Sequence, residues 1–118
     1  MTVDAAVAAA RAADDKLGID TVIIDVGDVL AIVDHFVITT GANPRQVRAI
    51  VEAVQEGVQI EHDLRPLRVE GLEDYEWVLL DYGPFVVHVF GRSARDLYAL
   101  ERLWGDRPVI DWATVDRT

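Results

Sequence analysis

The residues of this chain that are best suited to chemistry are a histidine and a carboxylate, His88 and Asp81, in neighbouring runs of β-forming residues. Such a pair can exchange protons, but acyl transfer also requires a nucleophile. The chain has no cysteine, and its one serine, Ser93, is three residues before Asp96 in a pattern typical of a helix cap. We therefore expect no catalytic residues here and interpret His88 as a half-exposed strand residue.

Metal sites and phosphate-binding loops are not indicated either. The histidines His35, His62 and His88 show no metal-binding spacing, and the chain contains neither GxGxxG nor GxxxxGK. The segment Gly41–Arg45 could hold an anion at a helix N-terminus, but an ordinary helix cap explains it better. The sequence thus predicts no metal and no cofactor.

The composition limits the partners that the chain can bind. Its 118 residues suffice for one domain, and 21 acidic against 11 basic residues give a formal charge of −10. This charge disfavours nonspecific binding to phosphate backbones, so RNA contact is expected to be peripheral at most, whereas a basic protein is an easier partner. The sequence has no apolar run of about 20 residues and no recognisable signal or transit peptide. We therefore expect no membrane contact and a cytoplasmic location.

The histidine and the carboxylate lie in Glu73–Gly91, which reads as two β-strands joined by a tight turn. Aromatic and β-branched residues are concentrated in Trp77–Tyr82 and Phe85–Phe90, and Gly83-Pro84 between them fits a type II′ turn. Alternation along the strands then divides the side chains between two faces. One face carries Val78, Leu80, Tyr82, Phe85, Val87 and Val89, and the other carries Trp77, Leu79, Asp81, Val86, His88 and Phe90.

Both faces are largely apolar, and a single hairpin cannot bury both in one core. We predict that the face containing Val78 and Leu80 packs under a helix whose apolar residues recur from Val47 to Val58. The face containing Trp77 then meets either a partner or another layer of the same chain, for which the N-terminal helix is a candidate. The residues alone leave these two alternatives open.

The other segments indicate one mixed sheet with helices packed on it. Asn43 and Pro44 are typical of a helix start, and Gly57 is expected to weaken the helix that follows. Phe36 and Ile38 share one face of the predicted strand Val33–Thr40, and their apolar side chains indicate that this face is the core face. The predicted elements are a helix at Thr2–Leu17, strands at Thr21–Val26 and Val33–Thr40, a helix from Pro44 to about Glu61, a weak strand at Leu64–Val69, the hairpin, and a helix at Ser93–Trp104. We predict a single α/β (α+β) domain over residues 1–118 with a five-stranded sheet, an N-terminal helix at 1–18 and an irregular tail at 107–118.

Three segments, DHFVITTGANPRQVRAI (Asp34–Ile50), EGLEDYEWVLLDYGPFVVHVF (Glu70–Phe90) and RDLYALERLW (Arg95–Trp104), resemble the ribosomal silencing factor family, whose members are also called Iojap-like proteins. Asp34–Ile50 is similar to that family's DYFVI and RQ motifs, Glu70–Phe90 contains EG, EWVLLDYG and VVHVF almost letter for letter, and Arg95–Trp104 resembles its R-x-x-Y-x-LE-x-LW. The resemblance covers about Asp20–Asp106. The chain departs from the family pattern at His35, at Ala42-Asn43-Pro44 and at Pro84.

The resemblance implies a function without catalysis. Family members bind the large ribosomal subunit through its protein L-fourteen, block joining of the small subunit and so repress translation; they are commonly homodimers in isolation. The implied fold is the nucleotidyltransferase α/β scaffold, without that enzyme class's recognisable paired carboxylates. The partner-binding residues that we expect are Trp77, Leu79, Asp81, Tyr82, His88, Phe90 and Glu70. Two alternatives remain: a divergent nucleotidyltransferase using Asp25, Asp28 and Asp34, and a purely structural homodimer.

Overall fold

A computed structural model of the chain describes residues 2–27, 32–98 and 108–113. Within these residues the chain forms three helices and six strands. They are α1 (Thr2–Asp15), β1 (Ile19–Asp25), β2 (His35–Gly41), α2 (Pro44–His62), β3 (Arg68–Glu70), β4 (Trp77–Asp81), β5 (Phe85–Gly91), α3 (Arg92–Tyr98) and β6 (Val109–Ile110). None of the helices in this part of the chain is long and apolar enough to span a membrane.

The six strands form one mixed sheet in the order β3-β4-β5-β2-β1-β6. Strands β2 and β5 run parallel, and the other neighbouring strands run antiparallel. Helices α1 and α2 pack on one face of the sheet, and α3 packs on β5 and β2 from the opposite face. The α/β class predicted from the sequence is confirmed, with six strands instead of five.

The larger core lies under α1 and α2, as the periodicity of the second helix predicts. Asn43 has an extended backbone, and its side chain accepts a hydrogen bond from the backbone N–H of Gln46 at 2.9 Å, so the predicted helix cap is present. The apolar side of α2 is buried against the hairpin face that contains Val78 and Leu80. The buried residues of this contact are Val47, Ile50, Val51, Val54 and Val58 of α2 with Val78, Leu80, Val87 and Val89 of the sheet.

Helix α1 packs on the same face of the sheet as α2, so it does not cover the hairpin face that contains Trp77, for which it was a candidate. All residues of Ala5–Ala10 are buried, because small alanine side chains let the helix lie close to α2 and the sheet. A Cβ at Gly57 would lie 3.2 Å from the Cβ of Ala12. Gly57 therefore permits this close approach, and α2 continues past it to His62 without shortening.

The interpretation of β2 was wrong about which face is the main core face. Val37 is fully buried in the larger core under the helices. Ile38 is buried in a second, smaller cluster on the opposite face of the sheet, with Phe36 packed half-buried against it. Both faces of β2 carry apolar residues, and the position of α1 decides which becomes the main core.

The C-terminal segment is partly regular. Instead of an irregular tail, Val109 and Ile110 form β6, which pairs antiparallel with Ile24 and Ile23 of β1. The indole of Trp112 donates a hydrogen bond to the backbone carbonyl of Thr21 at 2.9 Å. Of the predicted helix at Ser93–Trp104, the structure describes the part that lies in α3, which ends at Tyr98, and the remainder lies outside the described residues. Because α3 begins at Arg92, Ser93 lies inside the helix and does not cap it.

Candidate functional site

The hairpin has the register predicted from its sequence. The antiparallel pairs include Leu79 with His88 and Trp77 with Phe90. Gly83 has a positive φ of 92°, and the N–H of Tyr82 donates to the carbonyl of Phe85 at 3.0 Å, which closes a two-residue loop. We call the side of the hairpin that faces away from α1 and α2 the outer hairpin face; it comprises Trp77, Leu79, Asp81, Val86, His88 and Phe90.

The β5 part of the outer hairpin face is buried within the chain itself. His88 is 5% exposed and Phe90 is fully buried. Strand β5 lies between β4 and β2, and Ala94 of α3 packs in the same cluster as Phe90. The expectation of a half-exposed His88 was therefore wrong, and neither side chain can offer a partner much surface in this conformation.

Tyr82 belongs to the opposite face of the hairpin. Its ring stacks on Phe85, with centroids 4.6 Å apart and planes 8° apart, and both rings lie in the larger core. Burial raises the pKa of Tyr82 to about 12. Its hydroxyl is buried without a hydrogen-bond partner among the described residues. Placing Tyr82 in a partner surface is inconsistent with this position.

The β4 part of the outer hairpin face remains partly accessible. Trp77, Leu79 and Asp81 are each half-buried, because β4 is next to the short edge strand β3. Glu70 on β3 pairs with Leu79, which places its exposed carboxylate beside this surface. We call Trp77, Leu79, Asp81 and Glu70 the accessible patch.

Ionic contacts organise the polar margin of the accessible patch. The guanidinium of Arg68 lies 3.3 Å from a carboxylate oxygen of Glu70 and 3.9 Å from one of Asp81. Ion pairs at such exposure contribute little to stability, so they leave these carboxylates available to a basic partner. The other oxygen of Asp81, Oδ1, accepts a hydrogen bond from the N–H of Gly83 at 2.8 Å, and Asp81 thereby also stabilises the turn. Sequence reasoning missed Arg68, because the weak strand was predicted to end at Val69, whereas β3 spans Arg68–Glu70 and places Glu70 opposite Leu79.

His88 contacts Trp77 directly. The indole N–H of Trp77 donates to Nδ1 of His88 at 3.1 Å, and the ring centroids are 5.9 Å apart. Phe36 meets the imidazole edge-on at 4.9 Å and Phe90 lies parallel to it at 6.1 Å. Burial lowers the pKa of His88 to about 4, so the imidazole is neutral near pH 7. Phe36 could not be assigned to this cluster from the sequence, because its position depends on the parallel pairing of β2 with β5.

The arrangement offers few groups for catalysis. Asp81 and His88 share a face as predicted, but the Nδ1 atom of His88 is occupied by Trp77 and its Nε2 atom is buried. The nucleotidyltransferase alternative would use Asp25, Asp28 and Asp34. A Cβ at Gly27 would lie 3.4 Å from a carboxylate oxygen of Asp25 and of Asp34, so both carboxylates lie near Gly27, and Asp28 lies outside the described residues. Among the residues that the structure describes, no group of three or more potential metal ligands converges.

Comparison with known proteins identifies the family. A family model described as "Ribosomal silencing factor during starvation" matches residues 2–118. The chain belongs to the ribosomal silencing factor family. The family itself is named for silencing factors and not for enzymes. The ribosomal silencing factor of Bacillus subtilis is 38% identical over 103 residues, which cover 87% of this chain and 86% of the relative.

More distant relatives and solved structures agree with this assignment. A mouse protein named "Mitochondrial assembly of ribosomal large subunit protein 1" is 30% identical over 97 residues, covering 78% of this chain and 41% of that protein. A crystal structure of a protein from Chromobacterium violaceum superposes with a TM-score of 0.83 at 33% identity, covering 89% of this chain and 87% of that one. A crystal structure from Bacillus halodurans gives a TM-score of 0.74 at 36% identity, covering 88% and 93%.

Proposed function

We propose that this chain binds the large ribosomal subunit through its protein L-fourteen and sterically prevents the small subunit from joining, so that it represses translation in the cytoplasm. The observation that carries the proposal is the family match over residues 2–118. The names of the relatives are consistent with it, since they refer to ribosome silencing and to assembly of the large subunit. Such a mechanism requires only occupation of a site, and no catalytic group takes part.

The accessible patch is the surface that we propose for the contact. Trp77 and Leu79 supply apolar area that is only half-buried in the free chain, and Asp81 and Glu70 supply negative charge beside it. Aromatic and apolar anchors at the centre of an interface commonly contribute most of the binding energy. His88 and Phe90 would support these anchors from within the sheet without touching the partner, and Tyr82 would take no part.

The charge of the chain also favours a basic protein partner. A formal charge of −10 would accelerate the encounter with a basic ribosomal protein and would oppose extensive contact with RNA. The carboxylates Glu70, Glu73, Asp74 and Glu76 are all exposed in or next to the loop that precedes β4. They would steer the partner toward the accessible patch.

Two substitutions test the patch while preserving the hairpin. Leu79→Ala removes apolar area, and Asp81→Asn removes the charge but keeps an oxygen that can accept the hydrogen bond from Gly83. Each should weaken binding to purified large subunits about tenfold in a pull-down titration. Ile60→Ala and Glu56→Gln are matched controls, because both residues are exposed on α2, on the other side of the sheet. Full binding by both patch variants would show that the contact lies elsewhere.

The subunit-joining step needs a separate experiment. Sedimentation of ribosomal subunits on a density gradient, with and without the chain, should show fewer joined ribosomes and more free subunits when the chain is present. Binding to the large subunit without this shift would contradict the steric mechanism. Analytical ultracentrifugation of Leu79→Ala would reveal whether a homodimer uses the same patch, since the variant would then lose its dimer.

A further inference from the structure

We propose that His88 is a positioning residue for partner binding, which holds the indole of Trp77 in the orientation that the accessible patch presents. This inference rests on the function proposed above. Its structural basis is the contact across the hairpin, where the indole N–H donates to Nδ1 of His88 at 3.1 Å. Phe90 packs against the same indole with ring centroids 5.1 Å apart. A hydrogen bond and a ring contact together therefore fix one conformation of a half-buried tryptophan.

The second nitrogen of His88 shows that the imidazole is not there for packing alone. Its Nε2 atom is buried and has no hydrogen-bond partner among the described residues. A buried polar group without a partner destabilises a fold. A phenylalanine at this position would fill similar space among Phe36 and Phe90 without that cost. The feature that offsets the cost is the acceptor at Nδ1, which phenylalanine lacks.

The surroundings of His88 maintain this acceptor. Because Nδ1 accepts from Trp77, the neutral ring carries its proton on Nε2. Burial lowers the pKa of His88 to about 4, so the ring stays neutral and Nδ1 remains an acceptor near pH 7. The edge-on contact with Phe36 and the parallel contact with Phe90 restrict rotation of the imidazole. The hydrogen bond is therefore held at a rigid and buried acceptor.

This arrangement has two consequences for recognition. The indole N–H of Trp77 is already bonded within the chain, so a partner would contact the ring surface of Trp77 and not this donor. Fixing the ring before binding also removes the entropic cost of ordering it in the complex, which corresponds to roughly three- to tenfold in affinity. His88 would thus affect affinity without touching the partner.

The test combines binding to purified large ribosomal subunits with indole ¹H–¹⁵N signals of the whole chain. His88→Phe removes the acceptor and keeps a ring, whereas His88→Asn keeps an oxygen near the position of Nδ1. For His88→Phe we expect the Trp77 signal to shift and its N–H to exchange faster, with a dissociation constant three to ten times larger. His88→Asn should bring the Trp77 signal and the dissociation constant part of the way back to those of the unsubstituted chain. Trp77→Phe assigns the signal.

Trp112 provides the matched control. Its indole donates to the carbonyl of Thr21 and not to His88, so its signal should be unchanged in His88→Phe. Trp112→Phe should bind subunits as the unsubstituted chain does. His88→Leu, which also lacks an acceptor, replaces His88→Phe if that variant does not fold.

The possible results separate this inference from the function on which it rests. An unchanged Trp77 signal in His88→Phe would overturn the inference, as would a shifted signal with binding within twofold of the unsubstituted chain. In both cases the proposed function stands if the unsubstituted chain binds. If the unsubstituted chain does not bind large subunits, the proposed function fails and this inference fails with it.

Discussion

Acidification is expected to destabilise this fold through His88. The imidazole is 5% exposed, lies among aromatic rings and accepts a hydrogen bond from Trp77. A proton on Nδ1 would break that bond and place a charge in an apolar cluster. Burial accordingly lowers the pKa of His88 from 6.5 to about 4. The perturbation is a change of pH, and His88→Phe removes the titrating group.

The sign and size of the effect follow from proton linkage. Above about pH 6.5 the imidazole is neutral in both the folded and the unfolded chain, and it adds no pH dependence. Between 6.5 and about 4 the unfolded chain takes up the proton first, so the free energy of unfolding falls as the pH falls. A tenfold difference in proton affinity is worth about 1.4 kcal/mol. The full loss, reached below about pH 4, is therefore about 3 kcal/mol.

Urea unfolding followed by circular dichroism measures this loss. The free energy of unfolding is compared at about pH 7.5 and about pH 4.5 for the unsubstituted chain and for His88→Phe. Carboxylates titrate in both proteins and largely cancel in the comparison, so the unsubstituted chain should lose about 2–3 kcal/mol more than the variant. Equal losses in the two proteins would refute the reasoning, as would an imidazole that titrates near pH 6.5 in the folded chain by NMR.

Three further predictions, two of them with a control substitution, concern how the elements are held together, and each is measured as a free energy of unfolding in urea. Gly71→Ala should lower the free energy of unfolding by about 2 kcal/mol or more, because φ is +94° and a Cβ would collide with a carbonyl oxygen of β4. Gly27→Ala, whose Cβ would make ordinary contacts at 3.4 Å, should lower it far less, and equal decreases in the two variants would contradict the steric argument. Gln46→Ala should lower the free energy of unfolding by about 1–2 kcal/mol and accelerate hydrogen exchange at the end of α1, since the side chain of Gln46 donates to two carbonyls there at 3.1 Å. Unchanged hydrogen exchange would show that these two hydrogen bonds do not stabilise the end of α1. Ile50→Ala, at a fully buried site, should lower the free energy of unfolding by about 2–5 kcal/mol, whereas Ile60→Ala, at a site 73% exposed, should lower it by less than about 0.5 kcal/mol. Similar decreases in the two variants would contradict the assignment of the Ile50 side of α2 to the core.

The elements that the sequence predicts best are those set by local chemistry. The cap at Asn43 and Pro44 depends on groups within one helical turn. The turn at Gly83 depends on a glycine that tolerates positive φ, and it determines the register of the whole hairpin. Neither feature requires knowledge of distant residues, which is why both predictions were confirmed.

The elements that the sequence predicts poorly depend on contacts between distant segments. Strand β6 has two residues, too few for a periodic pattern, and it exists because β1 offers an unpaired edge. A glutamine such as Gln46 near a helix start is typical of a solvent-facing position, but its amide group donates to carbonyls at the end of α1, 29 and 30 residues away in the chain. Val37 becomes a core residue because α1 covers its face. None of these contacts leaves a signal in the local sequence.

The outer hairpin face shows the same limit at the candidate site. Alternation correctly assigned Trp77 and Leu79 of β4 and His88 and Phe90 of β5 to one face. It could not distinguish them further, because the two strands have similar composition. The difference arises from strand order: β5 has β2 on its far side and is covered, whereas β4 has only the three residues of β3 beyond it. A partner that uses this face must therefore approach from the β3 edge, where Trp77 and Leu79 are only half-buried beside Glu70 and Asp81.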